Sequence, residues 1–160
     1  MQELFDRAAI ADVIARLAST QDGRDWAAQR LLLADVVRLD LSEHLGDEPR
    51  DLSADELVAM CEAVIGGFAV THHATSNIRP TVDGDVAVVL AHVVAYHHLP
   101  TAPGVADFCT MRGHWKVNLR RTRDAWLVEG WKIVRSGPLE GFASLYQLAA
   151  QVHDRPADVE

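Results

Sequence analysis

The chain is poor in positive charge. Its 15 Lys and Arg stand against 23 Asp and Glu, a formal net charge of −8, whereas a phosphate-binding surface needs basic residues gathered in one place. Only Arg120, Arg121 and Arg123 cluster. They read as a solvated strand end beside a turn, so no nucleic-acid partner is expected. Cysteine is scarce as well. Cys61 and Cys109 are isolated, with neither a CxxC neighbour nor zinc-ligand spacing, and read as reduced core thiols. No apolar run approaches the roughly 18–20 residues of a membrane helix. The opening Met1-Gln2-Glu3-Leu4-Phe5-Asp6-Arg7 lacks the basic-then-apolar order of a secretory signal. A soluble, cytoplasmic protein with no membrane partner is the expectation. Repeats, low-complexity segments and linkers are missing too. What remains is a single domain over residues 1–160, 49% apolar and long enough to bury a sizeable core.

The apolar residues of 4–20 (Leu4, Phe5, Ala8, Ile10, Ala11, Val13, Ile14, Leu17, Ala18) mostly recur at helical spacing, predicting an amphipathic helix that Gln21-Asp22-Gly23 ends. A second helix is predicted over about 26–33, capped by Asp25, and a first strand over Val36–Leu41, followed by a polar loop through Arg50. Ser53-Ala54-Asp55-Glu56 is a capping box opening a third helix to about Ile65, which Gly66-Gly67 breaks. Strands are predicted at about 69–82, 86–98, 109–121 and 126–135, with Asp83-Gly84-Asp85 and Arg123-Asp124 as hairpin turns. A short helix over 141–151 and an acidic tail finish the chain. Helices first and antiparallel strands after indicate an α+β fold, with helices packed on one face of a curved sheet.

Two stretches carry candidate chemistry. In Thr71-His72-His73-Ala74-Thr75-Ser76-Asn77, a strand would send Thr71, His73, Thr75 and Asn77 to one side. Such a polar row is either a satisfied network or the floor of a site. In 86–98 one face reads Ala87, Val89, Ala91, Val93, Ala95, His97. Small side chains on a concave face leave volume for a ligand, or simply make room for a helix. The other face, with Val88, Leu90, Val94 and Tyr96, is bulky. A metal site drawn from His72, His73, His92, His97 and His98 is disfavoured, because neighbouring histidines in a strand point to opposite faces and no Cys or carboxylate set completes it.

Together these segments resemble a known group. Gln21-Asp22-Gly23-Arg24-Asp25-Trp26, Val37-Arg38-Leu39-Asp40 and Ser53-Ala54-Asp55-Glu56-Leu57-Val58 resemble the first half of scytalone dehydratase. Thr71-His72-His73, the spacing from Asp85 to His97, Gly113-His114 and Asn118-Leu119 resemble its second half. More broadly the chain, over about residues 5–137, is similar to the SnoaL-like group of the nuclear transport factor 2-like superfamily. The resemblance implies a cone-shaped sheet with N-terminal helices on its concave side and a deep apolar cavity between the first helices and the sheet. It also implies an Asp22–His73 catalytic pair, His97 as a second catalytic histidine that orients the substrate or acts as an acid, and Asn118 as a substrate contact. Gln21 and Leu41 stand where the dehydratase has two tyrosines, and neither replaces a phenol. Trp115 and Tyr96 complete the substrate-binding set, although aromatics at such positions also serve as core or subunit interface.

The strand parity of Met111, Trp115, Val117 and Leu119 turns Asn118 to the opposite face unless a bulge intervenes or both faces are covered. Phe142, Leu145, Tyr146 and Leu148 form either a lid over the cavity mouth or ordinary packing of the last helix. A carboxylate that accepts from one imidazole nitrogen fixes the tautomer and leaves the other nitrogen as a base. These groups suit β-elimination or isomerisation of a small apolar, carbonyl-bearing ring compound, with no cofactor or metal. The alternative is a non-catalytic binding or assembly domain. A cavity of about 300 Å³ or more lined by His73, His97 and Asp22 separates the two. The resemblance further implies a homodimer or homotrimer assembled through the outer sheet face.

Overall fold

The computed structural model describes residues 1–153; the acidic tail lies, from residue 154, outside the described residues. The first helix, α1 (Gln2–Asp22), buries Asp6, Ile10, Val13, Ile14, Leu17, Ala18 and Gln21. The steps of three and four place them on one stripe. Leu4 and Phe5, expected on that stripe, are exposed, because at 100° per residue they fall about a third of a turn from it. Asp6 takes the place instead. Arg121 donates to it through both terminal nitrogens, at 2.6 and 2.7 Å, and Trp126 Nε1 donates at 3.4 Å. The guanidinium lies 4.5 Å from the Trp126 ring centroid. Hydrogen bonding from Arg121 holds the Asp6 carboxyl down at about 2. The basic cluster is therefore not wholly solvated, since one of its members ties the sheet to α1.

After α1 the chain turns through Arg24, a non-glycine residue at φ +52°, whose guanidinium donates to the Phe68 carbonyl. Asp25 caps α2 (Trp26–Arg30) by accepting from Ala28 N at 2.9 Å. Strands β1 (Leu33–Asp40) and β2 (Arg50–Ser53) follow, then α3 (Ala54–Ile65), whose capping box is complete: Ser53 accepts from Glu56 N, and Glu56 accepts from Ser53 N at 2.8 Å. Four long strands come next: β3 (Val70–Asp83), β4 (Val86–His98), β5 (Phe108–Arg121) and β6 (Trp126–Arg135). A two-residue β7 (Glu140–Gly141) and α4 (Leu145–His153) close the described chain.

The sheet runs β2-β1-β6-β5-β4-β3, with β7 on β5. It is a curved, mostly antiparallel sheet with N-terminal helices, an α+β fold. Among the described residues only β1 and β6 pair in parallel. The strands at the two ends of this order are thus brought round toward one interior, which α1 and α3 cover. Along β3 the expected alternation holds through Ser76 and then slips. Ser76 pairs with His92 and Arg79 with Leu90, one residue more on β3 than on β4. Asn77 occupies the extra position at φ +50° and is exposed, a conformation Asn tolerates better than most residues. It does not join Thr71, His73 and Thr75 on the inner face.

The concave face of β4 is buried along its length. Ala87, Val89 and Ala91 lie in the same buried cluster as Ile10, Ile14 and Leu17 of α1. Ala95 and His97, at the other end, face open space. Making room for a helix and leaving room for a ligand both occur, at opposite ends of one strand.

Candidate active site

Asp22 is the last residue of α1, where the helix's own carbonyls disfavour a negative charge. Three donors at the start of β3 offset this. The His73 backbone N–H donates to Oδ2 at 2.8 Å, the Thr71 hydroxyl to Oδ1 at 3.0 Å, and His73 Nδ1 lies 2.7 Å from Oδ1. Burial pushes the Asp22 carboxyl up, but hydrogen bonds from the His73 side chain and backbone, with Thr71, outweigh it and leave the group below the ordinary carboxylate range. Asp22 is therefore ionised at neutral pH, and its carboxylate accepts the Nδ1 proton of His73. That leaves Nε2, on a ring that lines the cavity, as the nitrogen turned to a substrate.

The cavity has a volume of about 260 Å³, room for on the order of eight or nine waters. This falls a little short of about 300 Å³, the lower end for ligand pockets. His73, His97, Gln21, Leu41 and Trp115 line it, as expected. Asp22 does not reach it and stands behind His73. Much of the rest of the wall is apolar, with Leu39, Leu57, Met111, Trp131 and Ile133. Its exposed members are Leu45, Asp47, Arg50 and Val64, which sets the mouth between the 41–50 loop and α3 rather than between the first helices and the sheet. Gln21 spends its amide N–H on its own helix, donating to Leu17 O at 2.9 Å.

His97 sits edge-on to His73, ring centroids 5.2 Å apart. Burial and the neighbouring His73 push it down to about 3. At neutral pH it is an uncharged imidazole, which can orient a carbonyl or hydroxyl but is not an imidazolium acid. Its Nδ1 lies 3.2 Å from Tyr146 Oη, and burial pushes that phenol well above its usual range.

Tyr146 arrives on α4, which packs through Leu145 and Ala149 onto Phe68 and Cys109. Gly67 permits the approach: a Cβ there would meet Ala149 O at 1.8 Å. The last helix thus contributes a wall residue beside His97, away from the mouth, and otherwise packs as an ordinary terminal helix. Of the four aromatic and aliphatic side chains named for it, only Tyr146 lines the cavity.

Two expected substrate contacts are elsewhere. Asn118 is exposed on the outer face of β5, between inward Val117 and Leu119. A bulge does occur there, but the extra residue lies on β6 between Val128 and Gly130 and leaves Asn118 facing out. Tyr96 is on the outer face of β4, stacked on Phe108 with centroids 6.4 Å apart. Strand parity excludes both from the interior.

One wall residue, His44, had no signal in the sequence, and Tyr146 was indicated only as part of a lid or of ordinary packing. Tyr146 belongs to a terminal helix whose docking depends on Gly67, and His44 lies in a polar loop. His44 is 8% exposed and lines the cavity.

Solved structures agree with this architecture. The Kfla4162 protein from Kribbella flavida superposes with a TM-score of 0.82 at 27% identity, covering 96% of this chain and 99% of its own. A candidate scytalone dehydratase from Novosphingobium aromaticivorans gives 0.74 at 17%, covering 88% and 89%. The type 3 hexachlorocyclohexane dehydrochlorinase of Novosphingobium barchaimii gives 0.73 at 15%, covering 88% and 92%. No curated protein matches the chain significantly. The model of the SnoaL-like domain matches residues 2–136, from α1 through β6 and so across the cavity wall as far as α4. A strand order of this kind, hollow at one end and matched over that span, makes the chain a member of the SnoaL-like domain family.

Proposed function

We propose that the protein is a lyase or isomerase of the dehydratase type, acting without a cofactor on a small, apolar, carbonyl-bearing ring compound. Asp22 holds His73 by Nδ1, and Nε2 removes a proton from the carbon next to the carbonyl. The resulting enolate expels a group from the β carbon, and the proton on His73 passes to the departing oxygen. The sum is loss of water with formation of a carbon–carbon double bond. Neutral His97, backed by Tyr146, would hold the carbonyl oxygen as charge develops on it. Names borne by distant structural relatives, a dehydratase and a dehydrochlorinase, are of the same reaction type.

The observation that carries this reading is the Asp22–His73 pair at 2.7 Å with open volume on the side of His73 away from Asp22. Turnover of β-hydroxy ketones by wild type, Asp22→Asn and His73→Ala tests it. Loss in both variants with native circular dichroism supports the reading, and full activity in both ends it.

The competing reading, a binding domain, draws on the modest cavity volume and on a hydrogen bond that also pins a helix end to the sheet. It expects ligand affinity without turnover. For assembly, the outer face offers Val88, Leu90 and Val94, each 37–40% exposed, beside Tyr96. A homodimer or homotrimer through this face is the proposed state, and light scattering tests it.

A further inference from the structure

Five buried side-chain nitrogen or oxygen atoms lack a hydrogen-bond partner among the described residues, and three belong to residues of the cavity wall: His44 Nδ1, Trp115 Nε1 and Trp131 Nε1. Polar atoms left unpaired inside a protein are uncommon, because the bonds lost from water are not replaced. His44 is the most capable of the three, since an imidazole can both give and accept. It is also firmly placed. Leu41 O accepts from the backbone N–H groups of His44, Leu45 and Gly46, and Gly46, at φ +85°, completes the turn.

Topology places His44 and His73 on different parts of the sheet. His44 follows β1, and His73 stands on β3. In the sheet order these strands are separated by β6, β5 and β4, all of which contribute wall residues: Trp131 and Ile133, Met111 and Trp115, Ala95 and His97. His44 and His73 thus line one cavity from either side of these three strands in the sheet order, with His97 and mostly apolar side chains between them.

We propose that His44 is a second anchoring point for the substrate. It exchanges a hydrogen bond with an uncharged hydroxyl or carbonyl oxygen at the end of the molecule remote from the carbon on which His73 acts. The substrate class is then a rigid, neutral ring compound with two oxygen functions at opposite ends, rather than a simple ketone. Burial, with Arg135 nearby, pushes His44 down to about 4, which suits an uncharged partner over a carboxylate. The assignment rests on reading the cavity as the substrate site, but not on the identity of the base.

The test is calorimetric binding of two inert probes, 4-phenylcyclohexanone and 4-(4-hydroxyphenyl)cyclohexanone, which differ by one remote hydroxyl. Wild type is expected to prefer the hydroxylated ketone by about tenfold, the worth of one hydrogen bond. His44→Phe should bring the ratio close to one while leaving the simpler ketone's affinity within about twofold. His44→Gln, which keeps hydrogen-bonding capacity, should retain part of the preference and guards against misfolding of the first variant. His73→Ala should keep the full ratio, so that failure of the base assignment is told apart from failure of this one. A wild-type ratio near one, no binding of the hydroxylated ketone, or a ratio unchanged in His44→Phe overturns the proposal.

Discussion

At the scale of single residues, the site works by fixing protonation states before a substrate arrives. Asp22→Asn keeps the shape of the pair but takes away the charge that dictates which nitrogen of His73 bears the proton. It should lower kcat by about 10²–10⁴ with a smaller change in KM; steady-state kinetics on a turned-over β-hydroxy ketone checks this. The buried imidazoles predict an acid-sensitive fold. In the unfolded chain they take up protons as pH falls through about 6.5. In the folded chain they resist until about 3 for His97 and about 4 for His44. Their contribution is whole above about 6.5 and is progressively lost below it. Urea midpoints should drop steadily from pH 6.5 toward 4, each ring contributing up to about 1.4 kcal/mol per pH unit. His97→Gln should flatten the slope.

The directions of single side chains were legible where neighbours along the chain set them: strand parity turns His73 and His97 to one face. That Asp22 meets His73 was implied only by the family resemblance. His44 was not legible as a wall residue, and Tyr146 only as one of four candidates on the last helix, because a loop and a docked helix take their direction from distant contacts. Asn118 was misplaced by resemblance where parity had it right.

At the scale of elements, the placement of α4 governs how the cavity is closed on the His97 side. Gly67 lets the helix approach, and a methyl group there would drive into the Ala149 carbonyl. Gly67→Ala should cost about 1–3 kcal/mol of stability and move Tyr146 away from His97. Denaturant unfolding reads the first effect, and a change in the Tyr146 ring resonances by NMR reads the second. The four long strands were plain from alternation and turn residues. The edge strand β2 and the two-residue β7 were not, being too short to show a period. The parallel pairing of β1 with β6 was also hidden, since it joins segments far apart in sequence. The Asn77 bulge inverted the last part of a face that alternation alone would continue.

At the scale of the molecule, one interior is shared between a packed end beneath α1 and a hollow end beneath α3 and α4. The outer face of β4 displays four partly exposed aliphatic side chains, Val86, Val88, Leu90 and Val94, the face proposed for assembly. Leu90→Lys should shift a dimer or trimer toward monomer in light scattering while leaving the far-ultraviolet circular dichroism unchanged. The general architecture was readable from the order of elements and from the alanine-rich face of β4. The modest volume and the position of the mouth were not, because both depend on how far the 41–50 loop folds over the opening.

The most direct measurement follows deuterium entering the α carbon of a bound ring ketone in D₂O by mass spectrometry, for wild type, Asp22→Asn and His73→Ala. It reports proton abstraction alone, whatever group later departs. Wild type should exchange at least about 100-fold faster than either variant. Equal rates in all three, with the ketone demonstrably bound, would contradict the assignment of His73 as a base held by Asp22.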